Sequence, residues 1–291
     1  MTFPERTTLD NPTKANKSLA LTKNMNLSEQ NRIAWDRMAK SGHPLAKPAA
    51  DGDLLDPLKF VDEIGWLGKS IAGQHVLCLA AGGGRHSALY CAAGAVVTVV
   101  DISSGMLELD RQVARERQLE VRIIEGSMKS MPMLKDGEFD IVVHPVSTCY
   151  IDDLAPMFAE VARIIRPSGL YISQHKQPIN LQASLEPVEG RYLIEQPILG
   201  NLTATPPVSP SRLRESGTRE VIHSLHSLLG GMCRAGFYIE DITEPQHGKL
   251  DQPVGSFGHR CAFIPPYIRV KARRNSIASA KRPIAPSIWL G

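Results

Sequence analysis

Five short apolar runs recur through the middle of this chain: HVLCLA (75–80), AVVTVVD (95–101), VRIIEG (121–126), FDIVVH (139–144) and LYISQH (170–175). Between them lie segments with helical signatures at 84–93, from Ser103 to about Gln118, and over 152–165. The last leads through Arg166-Pro167-Ser168-Gly169 into the fifth run. Runs that are apolar throughout, instead of alternating with polar residues, belong to strands buried on both faces. Strands separated by helices run parallel, with the helices covering the sheet. The pattern predicts an α/β fold around a parallel sheet.

The flanking segments differ. Residues 1–26 are rich in Thr, Asn, Lys and Pro without periodicity and read as a disordered tail. Residues 27–72 read as a helical cap: Ser28 starts a helix carrying Ile33, Trp35 and Met38 that Gly42 stops, and Pro57 starts a shorter one. Beyond the fifth run, 177–218 is proline-rich with one strand-like stretch, RYLIEQPIL, and reads as an insertion. A helix follows over about 219–234, and GFYIEDITEP and SFGHRCAFIP read as two closing strands. Residues 265–291 read as a basic tail, with six basic and no acidic residues after Arg260. The first 28 residues hold four basic against two acidic residues, so 29–260 carries net −5 although the whole chain is +3. An acidic body argues against a broad nucleic-acid surface. No apolar run approaches the length needed to cross a bilayer. The five cysteines are odd in number, widely spaced and without a C-x-x-C pair, which predicts reduced thiols in a cytoplasmic protein, with no disulfide frame and no zinc site.

The first run ends in LAAGGGRHS (79–87). Glycine lacks Cβ, so it takes positive φ and lets a ligand approach the backbone closely. In open α/β sheets ligands bind beyond the carboxyl ends of the strands, and a helix opening there offers unpaired N–H groups. Asp101, the one charge in AVVTVVDI, ends the second run. An acid at this distance from a glycine turn can accept hydrogen bonds from the ribose hydroxyls of an adenosine. A tight turn with Asp101 merely capping the next helix is the structural alternative.

The frame Ala80-x-Gly82-x-Gly84 resembles the acid-x-Gly-x-Gly-x-Gly motif of class I S-adenosylmethionine-dependent methyltransferases, with Cys78 in place of the acid and Ala80 in place of the first glycine. DISSGML (101–107), GSM (126–128), FDIVVH and RIIRPSGLYI resemble further segments of that family, in order. The resemblance spans about 73–264 and implies a Rossmann-like seven-stranded mixed sheet, mostly parallel with an antiparallel last strand. It implies S-adenosylmethionine as donor and S-adenosylhomocysteine as product. The donor contacts it implies are Ala80, Ala81, Gly82, Gly83, Gly84, Arg85 and His86 in the loop. Asp101, Ile102 and Met106 follow the second strand, Gly126, Ser127 and Met128 the third, and His144 ends the fourth.

Methyl transfer needs chiefly a positioned, desolvated acceptor, and a base only if the acceptor arrives protonated. His144, Tyr150 and His175, at the exits of strands four and five, are the catalytic candidates. Carboxylates for a catalytic metal are missing there, so no metal is expected. His223-x-x-His226, read on a helix, lacks a third ligand. Ile264-Pro265-Pro266-Tyr267 reads as an extended exit from the sheet. Trp35 and the insertion are the parts this fold varies to build or close an acceptor pocket, with plain helix packing the equal alternative for Trp35. Arg191, Tyr192, Arg212, Arg214 and Arg219 lie in or beside the insertion, where arginines could hold a carboxylate or phosphate, although solvated arginines are the commoner case. The expected function is methyl transfer to O, N or C of a small molecule by a monomer or homodimer. The alternatives are a nicotinamide-dependent oxidoreductase and a non-catalytic S-adenosylmethionine-binding protein.

Overall fold

The computed structural model describes residues 25–200, 202–207 and 211–276. Its sheet is built from β1 (His75–Leu79), β2 (Val96–Asp101), β3 (Val121–Glu125), β4 (Phe139–His144), β5 (Ile165–Lys176), β6 (Phe237–Thr243) and β7 (Tyr267–Arg274). The order is β3-β2-β1-β4-β5-β7-β6. β1 to β5 pair in parallel, while β7 runs antiparallel to both β5 and β6. Successive side chains point to opposite faces of a strand, so an all-apolar strand feeds two cores. Leu77 and Leu79 pack with Phe158, Val161 and Met232 on one face, while Val76 and Cys78 pack with Leu67, Ile71 and Tyr90 on the other. Each fully buried aliphatic side chain here contributes about 1.5–3 kcal/mol.

The helices are α1 (Leu27–Lys40), α2 (Pro57–Val61), α3 (His86–Ala92), α4 (Ser104–Glu116), α5 (Ala155–Ile164), α6 (Pro178–Gln182), α7 (Leu225–Arg234) and α8 (Phe257–Cys261). α1 is capped two residues earlier than Ser28: the Asn26 side chain accepts the Glu29 N–H at 2.8 Å. α4 starts where Ser103 Oγ accepts the Met106 N–H at 3.1 Å.

The C-terminal third departs from the sequence reading. SFGHRCAFIP is not a strand; Ser256 caps α8, which buries Arg260 completely. That guanidinium donates to the carbonyls of Ser184 at 2.9 Å and Asn180 at 3.1 Å, and to Asn180 Oδ1 at 2.6 Å. The closing strand is β7, which lies within the presumed tail 265–291 and moves the end of the sheet domain from 264 to 274. Its buried Ile268, Val270 and Ala272 alternate with Arg269, Lys271 and Arg273, so positive charge occupies one face of a strand whose other face is core. Ile264-Pro265-Pro266-Tyr267 is accordingly the entry to β7, not an exit, and the Gln177 N–H donates to the Pro266 carbonyl at 3.0 Å. The helix read over 219–234 begins only at Leu225, because 219–223 is extended. Val221 N–H donates to the Cys149 carbonyl at 2.7 Å, and His223 lies before the Ser224 cap, off the helix that carries His226. RYLIEQPIL forms only isolated bridges, Ala183 with Ile194 and Val188 with Arg191. Residues 1–24 and 277–291 of the two predicted tails lie outside the described residues.

Candidate functional site

Strand order reverses between β1 and β4, and a crevice opens beyond the carboxyl ends of these neighbours. The chain leaves β1 through Ala80, whose φ of +48° lies in the left-handed region that favours glycine. Its N–H donates to the Val100 carbonyl at 2.7 Å, which holds the turn against β2. Gly83 and Gly84 follow at φ +116° and +73°. Gly82 N–H donates to Asp101 Oδ2 at 3.0 Å, and Ser103 N–H to Oδ1 at 2.8 Å. Burial pushes the Asp101 carboxyl above its ordinary value despite these bonds. A Cβ on Gly82 would stand 2.9 Å from Met106 Cβ and 3.1 Å from Asp101 Oδ2, so this floor requires glycine.

Above the turn lies a cavity of about 530 Å³, inside the roughly 300–1,000 Å³ range of small-ligand sites. Ala80, Ala81, Gly82, Gly83, Arg85, His86, Asp101, Ile102, Met106, Gly126, Ser127, Met128 and His144 all line it, and so does Tyr150. Gly84 is not among the lining residues: it faces α4, where an added Cβ would stand 3.0 Å from the Leu109 carbonyl oxygen. The glycine floor, a carboxylate at the end of β2 and a cavity of this size fit an adenosyl ligand.

α1 and the segment through α2 roof the cavity with Asn31, Trp35, Phe60 and Ile64. The roof is pinned at two points. Asp36 Oδ1 accepts the Ser103 hydroxyl at 2.7 Å and the Gly105 N–H at 2.9 Å. Asn31 Nδ2 donates to the carbonyls of Tyr150 at 3.1 Å and Arg219 at 3.0 Å, while its Oδ1 accepts the Arg219 N–H at 2.7 Å. Trp35 meets Tyr150 edge to face at 5.8 Å.

The histidines behave differently from the expectation. His175 is fully buried, does not line the cavity, and has both ring nitrogens engaged, by Thr148 Oγ1 at 2.9 Å and Ser173 Oγ at 2.8 Å. His144 reaches the cavity wall but is bonded to the Tyr171 hydroxyl at 2.7 Å and Ser147 Oγ at 2.5 Å. Burial lowers both to about 3. At neutral pH such imidazoles hold no extra proton and are feeble bases; here they fasten the turn after β4 to β5.

Tyr150 is the candidate whose hydroxyl is tied to a second cavity residue. Its hydroxyl donates to Glu215 Oε2 at 2.8 Å, and Glu215 also lines the cavity. Lys176 Nζ donates to the same oxygen at 2.7 Å and to Glu220 Oε1, and Arg214 Nε stands 3.3 Å from Glu220 Oε2. Burial raises the Glu215 carboxyl, but Lys176 and bonds from Glu220 and Tyr150 outweigh it and hold it low; Glu220 is pushed up by burial. Sequence reasoning missed Glu215 because nothing local marks it. It missed Asp110 likewise, although a lone Asp on the buried face of an amphipathic helix was a usable signal. Of the insertion arginines none lines the cavity: Arg214 joins the buried cluster, and Arg212 stacks over Phe257 at 4.6 Å. The cavity's arginines are Arg85 and Arg269, the latter donating to Gln174 Oε1 at 2.7 Å. Among the described residues no three His, Cys, Asp or Glu side chains converge to hold a metal, and no helix is long and apolar enough to cross a membrane.

Comparison with known proteins agrees with this geometry. Residues 77–173 match the family described as Methyltransferase domain. An uncharacterized methyltransferase of Bacillus subtilis, YbaJ, is 29% identical over 252 residues, covering 79% of this chain and 96% of that protein. A crystal structure of an S-adenosylmethionine-dependent methyltransferase from Mesorhizobium loti superposes with a TM-score of 0.57 at 20% identity, over 72% of this chain and 94% of that one. Geranyl diphosphate C-methyltransferase from Streptomyces coelicolor, solved with geranyl diphosphate and S-adenosyl-L-homocysteine, gives 0.55 at 17% identity over 86% and 99%. Residues 77–173 thus carry a methyltransferase domain, and the strand order, glycine turn and terminal β2 acid are those of the class I S-adenosylmethionine-dependent methyltransferase fold.

Proposed function

We propose that the cavity binds S-adenosylmethionine along 80–86, Asp101 and 126–128, and that the protein methylates a small-molecule acceptor held under α1 beside Tyr150. The observation that carries the donor half is the Asp101 carboxylate, set at the cavity wall and bonded to the glycine turn. Each of its oxygens has a lone pair left for a ribose hydroxyl. The bound sulfonium supplies an electrophilic methyl carbon that needs no acid. The residues then have to exclude water and aim the acceptor, and the roof of Trp35, Phe60 and Ile64 suits both tasks. Tyr150 favours an acceptor that arrives with a proton on O or N: with its own proton held by Glu215, the tyrosine oxygen can accept a hydrogen bond from that group and orient it toward the methyl carbon. A cytoplasmic location accords with five free cysteines.

Calorimetric titration with S-adenosylmethionine, S-adenosylhomocysteine and NAD, on wild type and Asp101→Ala, tests the reading. The expected result is micromolar binding of both adenosyl ligands, no NAD binding, and a loss of roughly ten- to a hundredfold in the variant, since hydrogen bonds to a charged group are worth about 1.5–3 kcal/mol. Tight NAD binding, or no adenosyl binding, would replace it with an oxidoreductase cradle or a mere turn.

A further inference from the structure

Asp110 lies midway along α4, fully buried behind the glycine turn. Its Oδ2 accepts the Gly83 N–H at 2.8 Å, a donor shared with the Met106 carbonyl at 3.1 Å, and its Oδ1 accepts the Ser87 hydroxyl. One side chain thus gathers donors from the turn and from the first turn of α3. No cation pairs with it among the described residues; Arg85 turns instead to Asp53 at 3.4 Å. The titratable groups nearest it are Asp101 and the buried Cys78 thiol, neither of them positive.

Two consequences follow. A trans peptide points its carbonyl opposite its N–H, so drawing the Gly83 N–H onto Asp110 turns the Gly82 carbonyl away from Asp110. A buried carboxylate without a counter-ion also leaves negative potential in a low-dielectric place, and a cation on the far side of the turn relieves it. The adenosine end of the cavity already has Asp101; the amino-acid end of the donor carries an ammonium and a sulfonium.

We propose that Asp110 is the positioning residue of the donor site: it fixes the Gly82–Gly84 turn and, through it, selects the cationic amino-acid end of S-adenosylmethionine. The inference rests on the donor-site reading above. The chain would thereby carry on α4 the carboxylate that Cys78 leaves out of β1.

The test compares S-adenosylmethionine with 5′-methylthioadenosine, which keeps the adenosine and lacks the amino-acid end, by calorimetry on wild type, Asp110→Asn and Asp101→Ala. Asp110→Asn is expected to weaken S-adenosylmethionine tenfold or more and leave 5′-methylthioadenosine within about twofold, whereas Asp101→Ala weakens both. Equal weakening of the two ligands by Asp110→Asn, or no weakening, overturns the inference. Wild type alone gives a second reading if the variant folds poorly. Burial pushes the Asp110 carboxyl up to about 6, so the preference for S-adenosylmethionine over 5′-methylthioadenosine should fall several-fold between pH 7.5 and pH 5. A preference that is flat over that range refutes the proposal. If wild type binds neither ligand, the donor-site reading fails and takes this inference with it.

Discussion

Replacing Lys176 by Met tests what joins the insertion to the sheet. Lys176 ends β5 with its side chain 1% exposed, and its ammonium bonds Glu215, Glu220 and the Leu213 carbonyl, the last at 3.1 Å. Burial alone would depress this ammonium, but the two carboxylates outweigh burial and hold it above its ordinary value. Methionine nearly matches the length and removes the charge, leaving carboxylates 8% and 3% exposed with Arg214, 3.3 Å from Glu220, as the remaining cation. Breaking a buried ion pair by deleting one partner costs about 3–5 kcal/mol. For a domain of this size that lowers Tm by roughly 6–20 °C, at about 2–4 °C per kcal/mol.

The sign of its pH dependence is fixed by linkage. In wild type Glu215 is held below its unfolded value, so it stabilises at pH above that value and the contribution is lost only in strong acid. In the variant burial goes unopposed by the ammonium, both carboxyls rise above their unfolded values, and the deficit is full near pH 8 and shrinks toward pH 5. Thermal unfolding followed by circular dichroism at pH 5, 6, 7 and 8 measures it. Adding Glu220→Gln to Lys176→Met should recover part of the loss at pH 8. A Tm change under about 2 °C at pH 8, or a deficit equal at pH 5 and pH 8, would refute the reasoning.

Ala80→Gly should raise Tm by a few degrees, because φ of +48° costs a residue with a Cβ roughly 1 kcal/mol more than glycine; an unchanged or lower Tm would show that the turn is relaxed as alanine. Gly84→Ala and Gly190→Ala share a positive φ but not surroundings, since a Cβ at 84 meets the Leu109 carbonyl at 3.0 Å and Val113 Cγ2 at 2.8 Å while a Cβ at 190 meets open space. Denaturant unfolding should give about 2–5 kcal/mol for the first, from conformation plus overpacking, and about 1 kcal/mol for the second; equal values would remove packing from the account.

The amino-acid sequence by itself determined the parts of this protein governed by neighbours along the chain. Continuous apolar runs made β1, β2, β4 and most of β5 legible, and the glycine turn and Asp101 were legible because a strand must end before a turn can begin. β7 was not. Its alternation of Arg and Lys with Ile, Val and Ala is equally that of a basic tail until β5 and β6 supply hydrogen-bonding partners on either side.

Side-chain chemistry followed the same division. His144 and His175 stood in promising places in sequence, and only packing decided that both are engaged on each ring nitrogen and held neutral. Glu215 stood in an unremarkable place and Asp110 was marked only as a lone acid on the apolar face of a helix; only the fold carried one to the cavity wall beside Tyr150 and the other behind the turn. Backbone conformation answers to residues a few positions away, whereas burial, charge pairing and access to a cavity depend on segments far apart in the chain, which meet only when the sheet closes.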